Sequence, residues 1–432
     1  MFCNTNLDKP QLDGSFPKPG LLPWHSQQQQ VTVLFHQLFS PKRIYKSTLD
    51  TFSTLLANLG HNKHPLIIPM NRTWWNKQEH YNINPVIVDQ VNVMRAADYI
   101  DWDKGCESWK RATRITATDK FYQYFGGRLY VDFKPQEWII AQEWEDTGKK
   151  RRAYNIVTKE YQMEKVWKKK YLPFGPNRET RMTDRILEAS YQLNHQHRIR
   201  LNGEPVVTSL RRIFSNQELT LGGRLYTCTS YGVQQHNKNS RSHILIDDNE
   251  VCELDYASLH INMLRSMAGL RPIEDAYTMI LSEIPINTND RTILRRYLKG
   301  LLQSILNCKS RNSAISSGNY EANYKPLLHK QEREVRNILK TISMTVTDLV
   351  SLFESCHSDI LIHFYTGIGL RLQYLDSRIA LRILDYFTNK RIVVLPVHDS
   401  FIIRRASQGD LKVIMNKAYQ EVMKTKYTIS IK

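Results

Sequence analysis

Apolar residues recur along this chain in two textures, a sparse one in the N-terminal half and a dense one in the C-terminal half. "STLDTFSTLLANLG" (47–60) repeats them at helical spacing, with Ser47 or Thr48 as the cap and Gly60 as the stop. "PLIIPM" (65–70) has the length of a strand, "PVIVDQVNVMRAADYI" (85–100) returns to helical spacing, and "WKRATRITAT" (109–118) follows Gly105. Helices closed by a short strand-turn-strand bearing Arg and Thr predict a winged-helix nucleic-acid-binding module over residues 46–125. A small helical domain with solvated basic residues fits the same pattern, and the two readings stay open at this point. Residues 1–45, rich in Pro, Gln and Gly with a glutamine run at Gln27 to Gln30, read as a flexible leader. Residues 126–212 carry the basic runs "KKRR" (149–152) and "KKK" (168–170) and read as a basic helical connector.

From 213 to 432 the pattern tightens. "SHILIDDNEVCELDYASLHINMLRSMAG" (242–269) predicts two short strands, a turn at 247–249, and a helix starting near Ser258. Helical spacing follows over 288–306, 330–356 and 371–387. "VVLPVHDSFII" (393–403) reads as strand-turn-strand, and "DLKVIMNKAYQEVMK" (410–424) as an amphipathic closing helix. Few strands among many helices indicate an α+β fold.

Composition changes the picture mainly through charge. Sixty Lys and Arg against 42 Asp and Glu leave a formal charge of +18, which points to a polyanionic partner, nucleic acid before membrane. No apolar run approaches the roughly 20 residues that span a bilayer. The N-terminus lacks the basic and apolar regions of a secretory signal, and the six cysteines lie far apart without a CxxC pair, so a cytoplasmic setting is expected. His61/His64 and His195/His197 lack partner cysteines at zinc-finger spacing and read as surface or satisfied histidines. Basic runs of this kind are usually solvated, although in so cationic a chain they can also follow a nucleic-acid backbone.

Two carboxylates stand at the ends of apolar strands: Asp255 after "VCEL" and Asp399 after "VVLPVH". Each alone is an ordinary turn residue. Together they suit a pair of magnesium ions clamping the attacking and leaving oxygens of a phosphoryl transfer. Between them, "DRTILRRYLKGLLQSILN" sets Arg291, Arg295 and Lys299 at i, i+4 and i+8, a cationic helix face suited to a triphosphate, or else simply solvated.

These segments resemble the motifs of family A DNA polymerases. "ELDYASLHINML" is similar to motif A, "RRYLKGLLQSILN" to motif B, and "VHDSF" to motif C, where single-subunit phage-type RNA polymerases also carry His-Asp-Ser. "GGRLYTCTSYGVQQHNKNSRSHILI" resembles the Gly-Arg-Leu segment before motif A, and "LQYLDSRIALRIL" the Gln-containing helix before motif C. The order of the five agrees with the family, and they cover about 222–403. The resemblance implies a palm-and-fingers domain over 213–432, with 126–212 as a thumb-like or accessory connector.

It implies Asp255 and Asp399 as metal ligands, helped by the backbone carbonyl of Tyr256, with Mg2+ as cofactor and Mn2+ as its substitute. Arg295 and Lys299 would hold the triphosphate, with Arg291, Tyr256, His260 and Gln303 beside the nucleotide. Arg224, Arg241, Gln373 and His398 would touch a DNA primer-template. Three departures bear on this. His260 stands where the family places the Glu that excludes ribose 2′-hydroxyls, Gln303 replaces the aromatic four positions after the motif B Lys, and Leu306-Asn307 replaces its Tyr-Gly. The expected activity is nucleotide addition to a nucleic-acid 3′ end in replication or repair, deoxynucleotides ahead of ribonucleotides. A non-catalytic replication initiator or regulator and a two-metal nuclease are the rivals.

Overall fold

The computed structural model describes residues 21–23, 27–41, 43, 45–61, 65–76, 83–103, 113–127, 129, 131–133, 137–155, 160–228, 232–323 and 334–432. These form two compact units, one of 1–137, 194–210 and 227–247, the other of 138–193, 211–226 and 248–432. Helix and sheet are mixed in both. Among the described residues no helix is long and apolar enough to cross a membrane. His64 and Gly105, singled out above, lie outside the described residues.

The first unit is built on helices α1 (Gln28–Phe39), α2 (Lys46–His61), α3 (Arg72–Asn76) and α4 (Ile87–Ala96). Strands β2 (Leu66–Ile68), β3 (Ile100–Asp103) and β4 (Thr113–Ala117) follow them, with β2 and β3 both antiparallel to β4. Helix α1 corrects the expected leader over 28–39, while the leader's residues 1–20 and 24–26 lie outside the described ones. Its Val31, Leu34 and Phe35 sit in the core, and Phe35 meets Phe52 of α2 at 5.3 Å between ring centroids. The glutamines mask an i, i+3, i+4 apolar stripe whose burial stabilises the helix by roughly 1.5–3 kcal/mol per large side chain. Gly60 does not stop α2, which runs to His61. A Cβ at Gly60 would meet Leu129 Cβ at 2.8 Å, so glycine serves close packing there. The same unit contains β8 (Ile199–Leu201), β9 (Glu204–Pro205) and β12 (Ile244–Ile246), with His197 Nδ1 2.6 Å from Asp247 Oδ2.

In the second unit, residues read as a helical connector form two long strands, β6 (Ile139–Asn155) and β7 (Glu160–Tyr171), before helix α6 (Arg178–Gln196). The cause is a period of two that the basic runs conceal: Tyr161, Met163, Trp167 and Tyr171 all fall on odd positions, on one side of the strand with Lys165 and Lys169. The base of β6 lies parallel to β10 (Leu210–Phe214), with Ile139, Ile140 and Ala141 buried.

The unit's other sheet joins β13 (Asn249–Asp255), β14 (Val394–Val397) and β15 (Ser400–Arg404), with β15 central and both neighbours antiparallel to it. Phe401, Ile402 and Ile403 are all buried. Helix α14 (Gly369–Asn389) packs against β14 and against α15 (Gln408–Met423), which covers β13 and β15. Helix α10 (Thr288–Asn307) packs on α11 (Arg311–Asn323) and α12 (Glu334–Thr341). The single helix expected over 330–356 is two, α12 and α13 (Val346–Cys356), and 330–333 lie outside the described residues. Between them Ser343 takes φ +52°, and Thr345 with Asp348 forms a capping box that starts α13 afresh.

Candidate functional site

Strand β13 ends where its apolar alternation ends, at Asp255. The chain then turns through Ser258, at φ +51°, into helix α8 (Leu259–Met267). Strands β14 and β15 are joined by the two-residue turn His398-Asp399, and only His398 of the two has positive φ, +59°. Type II′ hairpin turns have that φ pattern and favour Gly in the first position, so His398 occupies a strained backbone conformation. Asp255 lies directly opposite Ser400, and the Tyr256 N–H reaches the Asp399 carbonyl oxygen at 3.4 Å. Antiparallel geometry therefore sets the Cα atoms of Asp255 and Asp399 within about 7 Å of each other.

Both residues line a cleft of about 670 Å3, together with Arg224, His260 and His398. Helix α10 supplies Arg295, Lys299 and Gln303 to the same cleft. The helix is capped by Asn287, whose side chain accepts from the Asp290 N–H, and it buries Leu294, Leu298, Leu301 and Leu302, which leaves its cationic face outward. Lys299 is exposed and takes part in no ion pair among the described residues.

Arg295 is engaged by a residue that sequence reading did not single out. Its guanidinium pairs with Asp275 and lies 5.1 Å from the centroid of the Tyr277 ring, and Lys432 Nζ is 3.2 Å from the same carboxylate. Burial pushes the Asp275 carboxyl up, but the Tyr277 N–H, Arg295 and Lys432 outweigh it and hold it below its ordinary range.

A second missed acid, Asp376 on α14, is buried and paired with Arg224 at 2.8 Å. Burial first, and the nearby Asp399 charge, push its carboxyl up to about 6 against the opposing pull of Arg224. Arg224 also reaches His260, Nη2 to Nε2 at 3.2 Å. Burial and that guanidinium lower His260 to about 3, so the imidazole is neutral at neutral pH and accepts at Nε2.

Nine of the expected residues thus meet around one cleft: Asp255, Tyr256, Asp399, Arg295, Lys299, Gln303, Arg224, His260 and His398. Tyr256 needs a correction. Its ring is buried beside Phe401 and Tyr419 and its hydroxyl donates to the Met415 carbonyl oxygen at 2.5 Å, so the side chain serves the core and offers nothing to a nucleotide. Arg291, Gln373 and Arg241 are not among the cleft's lining residues. Arg291 shares the face of Lys299 but stands two turns, about 12 Å, along the helix from it. Gln373 is half-buried on α14, and Arg241 belongs to the first unit, where it donates to the His236 carbonyl oxygen at 2.6 Å. An acid on the apolar stripe of 371–387 was the available signal for Asp376. The loop holding Asp275 has no periodicity to read.

Among the described residues no group of three or more His, Cys, Asp or Glu side chains is placed to hold a metal ion. Two carboxylates lining one cleft nevertheless offer hard oxygen donors of the kind magnesium accepts, with water and substrate phosphate completing its shell. No protein-family model matches the chain, and no curated protein matches it. Among solved structures, one that is similar is described as "POL domain of Pol1 from M. smegmatis complex with DNA primer-template and dNTP". The match has a TM-score of 0.31 and 12% identity over 59% of this chain and 51% of that chain.

Proposed function

We propose that the second unit is a nucleotidyltransferase of polymerase type, adding nucleotides to a nucleic-acid 3′ end. The observation that carries this is the meeting of Asp255 and Asp399 at adjacent strand ends in one cleft with the cationic face of α10. In the reaction the 3′-oxygen of a primer bonds to the α-phosphorus of a nucleoside triphosphate, the bond to the β-phosphate oxygen breaks, and pyrophosphate leaves. Asp255 and Asp399 would hold Mg2+, with Mn2+ as substitute, which when bound supplies positive charge to the attacking and leaving oxygens. Lys299 is ready to neutralise the triphosphate, and Arg295 joins it by exchanging Asp275 for phosphate oxygens. Asp275 keeps Lys432 and the Tyr277 N–H when Arg295 leaves. Neutral His260, held by Arg224, lies where a sugar-selecting residue is expected, and deoxynucleotides are the favoured substrate.

The winged-helix reading of 46–125 is supported by the element order α2-β2-α3-α4-β3-β4 and the sheet order β2-β4-β3. A DNA-binding module on the same chain suits a polymerase that must find a primer.

The test is extension of a labelled primer, with and without template, with deoxy- and ribonucleotides offered separately in magnesium. Asp255→Asn and Asp399→Asn are each expected to abolish incorporation while the thermal midpoint in EDTA stays near that of the parent. Incorporation that survives both substitutions, or a parent chain that extends no primer, refutes the assignment. Degradation of the labelled strand without added nucleotide would replace it with a nuclease.

A further inference from the structure

From Gln142 outward β6 and β7 form an antiparallel ribbon with exposed side chains along its length. The twelve residues of β7 alone span about 40 Å. Cross-strand partners share a face and neighbours alternate, so Trp144 opposite Lys169, Trp167 opposite Asp146, Lys165 opposite Lys150, and Met163 opposite Arg152 all project to one side. Tyr161 and Tyr171 join them by the same alternation.

That face therefore gathers Trp144, Tyr161, Met163, Trp167 and Tyr171, each at least half exposed, at 63%, 55%, 60%, 51% and 68%. Cations are threaded between the rings: Arg152 over Tyr161 at 4.5 Å, Lys169 over Trp144 at 5.6 Å, and Lys165 by Trp167 at 6.0 Å.

The two faces differ in charge as well as in rings. Among the described residues the bare face has no aromatic side chain and ties its cations to carboxylates, Lys168 to Glu145 at 3.2 Å, Lys170 to Glu145 at 3.4 Å and Arg151 to Glu164 at 3.4 Å. On the ring face Asp146 pairs with Lys165 at 2.8 Å, while Lys150, Arg152 and Lys169 form no direct ion pair among the described residues. An isolated two-stranded ribbon is marginal in water, and large rings left on one such face mark a surface that meets a partner.

We propose that the ring face of this ribbon binds single-stranded nucleic acid, with bases stacked on Trp144, Trp167 and the tyrosines and phosphates beside Lys150, Arg152 and Lys169. Rings and cations alternating along a strand complement a polymer that alternates bases and phosphates. A second copy of the face would bring unpaired cations against unpaired cations. A bilayer-binding element sets its apolar side chains on one face and its cations on the other, whereas here rings and cations share one face.

The proposal stands apart from nucleotidyl transfer, because binding is read in EDTA without nucleotides and its failure leaves the cleft assignment untouched. The full chain is titrated into a fluorescein-labelled oligothymidine and followed by anisotropy. Trp144→Ala with Trp167→Ala is expected to weaken binding at least tenfold, since one base-ring stack is worth about five- to 150-fold. Trp144→Phe with Trp167→Phe is expected to retain most of it. Lys150→Gln with Lys169→Gln is expected to flatten the slope of log affinity against log salt by about 1.4, two phosphate contacts at roughly 0.7 each. Lys168→Gln with Lys170→Gln removes the same charge from the opposite face and is expected to change affinity far less. Equal loss from the two lysine pairs, or no loss from removing the rings, overturns the proposal. So does tighter binding of a duplex, ring-dependent capture by anionic vesicles in place of the oligonucleotide, or ring-dependent dimerisation without it.

Discussion

Replacing Asp376 by asparagine isolates the cost of a charge buried beside the candidate metal site. In the native chain this carboxyl keeps its proton up to about pH 6, whereas its ordinary value is 3.8. Between those values the folded state holds more protons than the unfolded one, so the contribution to stability is full below about pH 4 and falls as pH rises to 6. Slightly more than two pH units at about 1.4 kcal/mol each makes about 3 kcal/mol lost by neutral pH. Asparagine imitates the protonated acid and can still accept from Arg224 Nε, which lies 2.8 Å from Asp376 Oδ2. Asp376→Asn should therefore match the parent near pH 4 and exceed it by about 3 kcal/mol at pH 7. Urea unfolding followed by tryptophan fluorescence from pH 4 to 8, in EDTA, measures this difference, and the other carboxylates largely cancel from it. A difference that does not vary with pH, or an asparagine variant less stable at pH 7, would show that Arg224 compensates the charge fully and that the reasoning is wrong.

Three further perturbations test other parts of the molecule. Asp275→Asn frees Arg295 from a partly buried ion pair worth about 1 kcal/mol, so the KM for nucleotide in primer extension should fall about fivefold, and an unchanged or higher KM argues against Arg295 as a phosphate ligand. Gly300 sits inside α10, and a Cβ there would meet nothing within 4 Å. Gly300→Ala should accordingly raise stability by about 0.5–1 kcal/mol in the same urea assay, and a loss would mean the helix face is crowded. Arg212 is fully buried and donates to the Gly223 carbonyl oxygen, Glu179, Thr183 and Ser377. Arg212→Met strands those acceptors and should cost about 3–5 kcal/mol, whereas a change below 1 kcal/mol would show that water or local rearrangement replaces the guanidinium.

The strands that carry Asp255 and Asp399, the outward face of α10 and the closing helix were legible in the sequence because each is set by local alternation. A run of apolar residues ending in an acid, or cations four apart among leucines, means much the same in any context. Period-two order in β7 was equally present but was hidden among lysines, whose long side chains accept either a helix or a strand. The core residues of α1 were hidden in the same way by glutamines.

What only the tertiary structure decided is who meets whom across long separations. Asp275 comes to Arg295 and Lys432, Asp376 to Arg224, and Arg224 to His260, from segments with no common period. An isolated carboxylate reads alike whether it will face water or lie beneath a helix. Its charge cost, and hence its role, is fixed by the burial and partners that packing supplies. The same holds for the ribbon, where cross-strand register put the exposed rings on one face and most of the paired charges on the other.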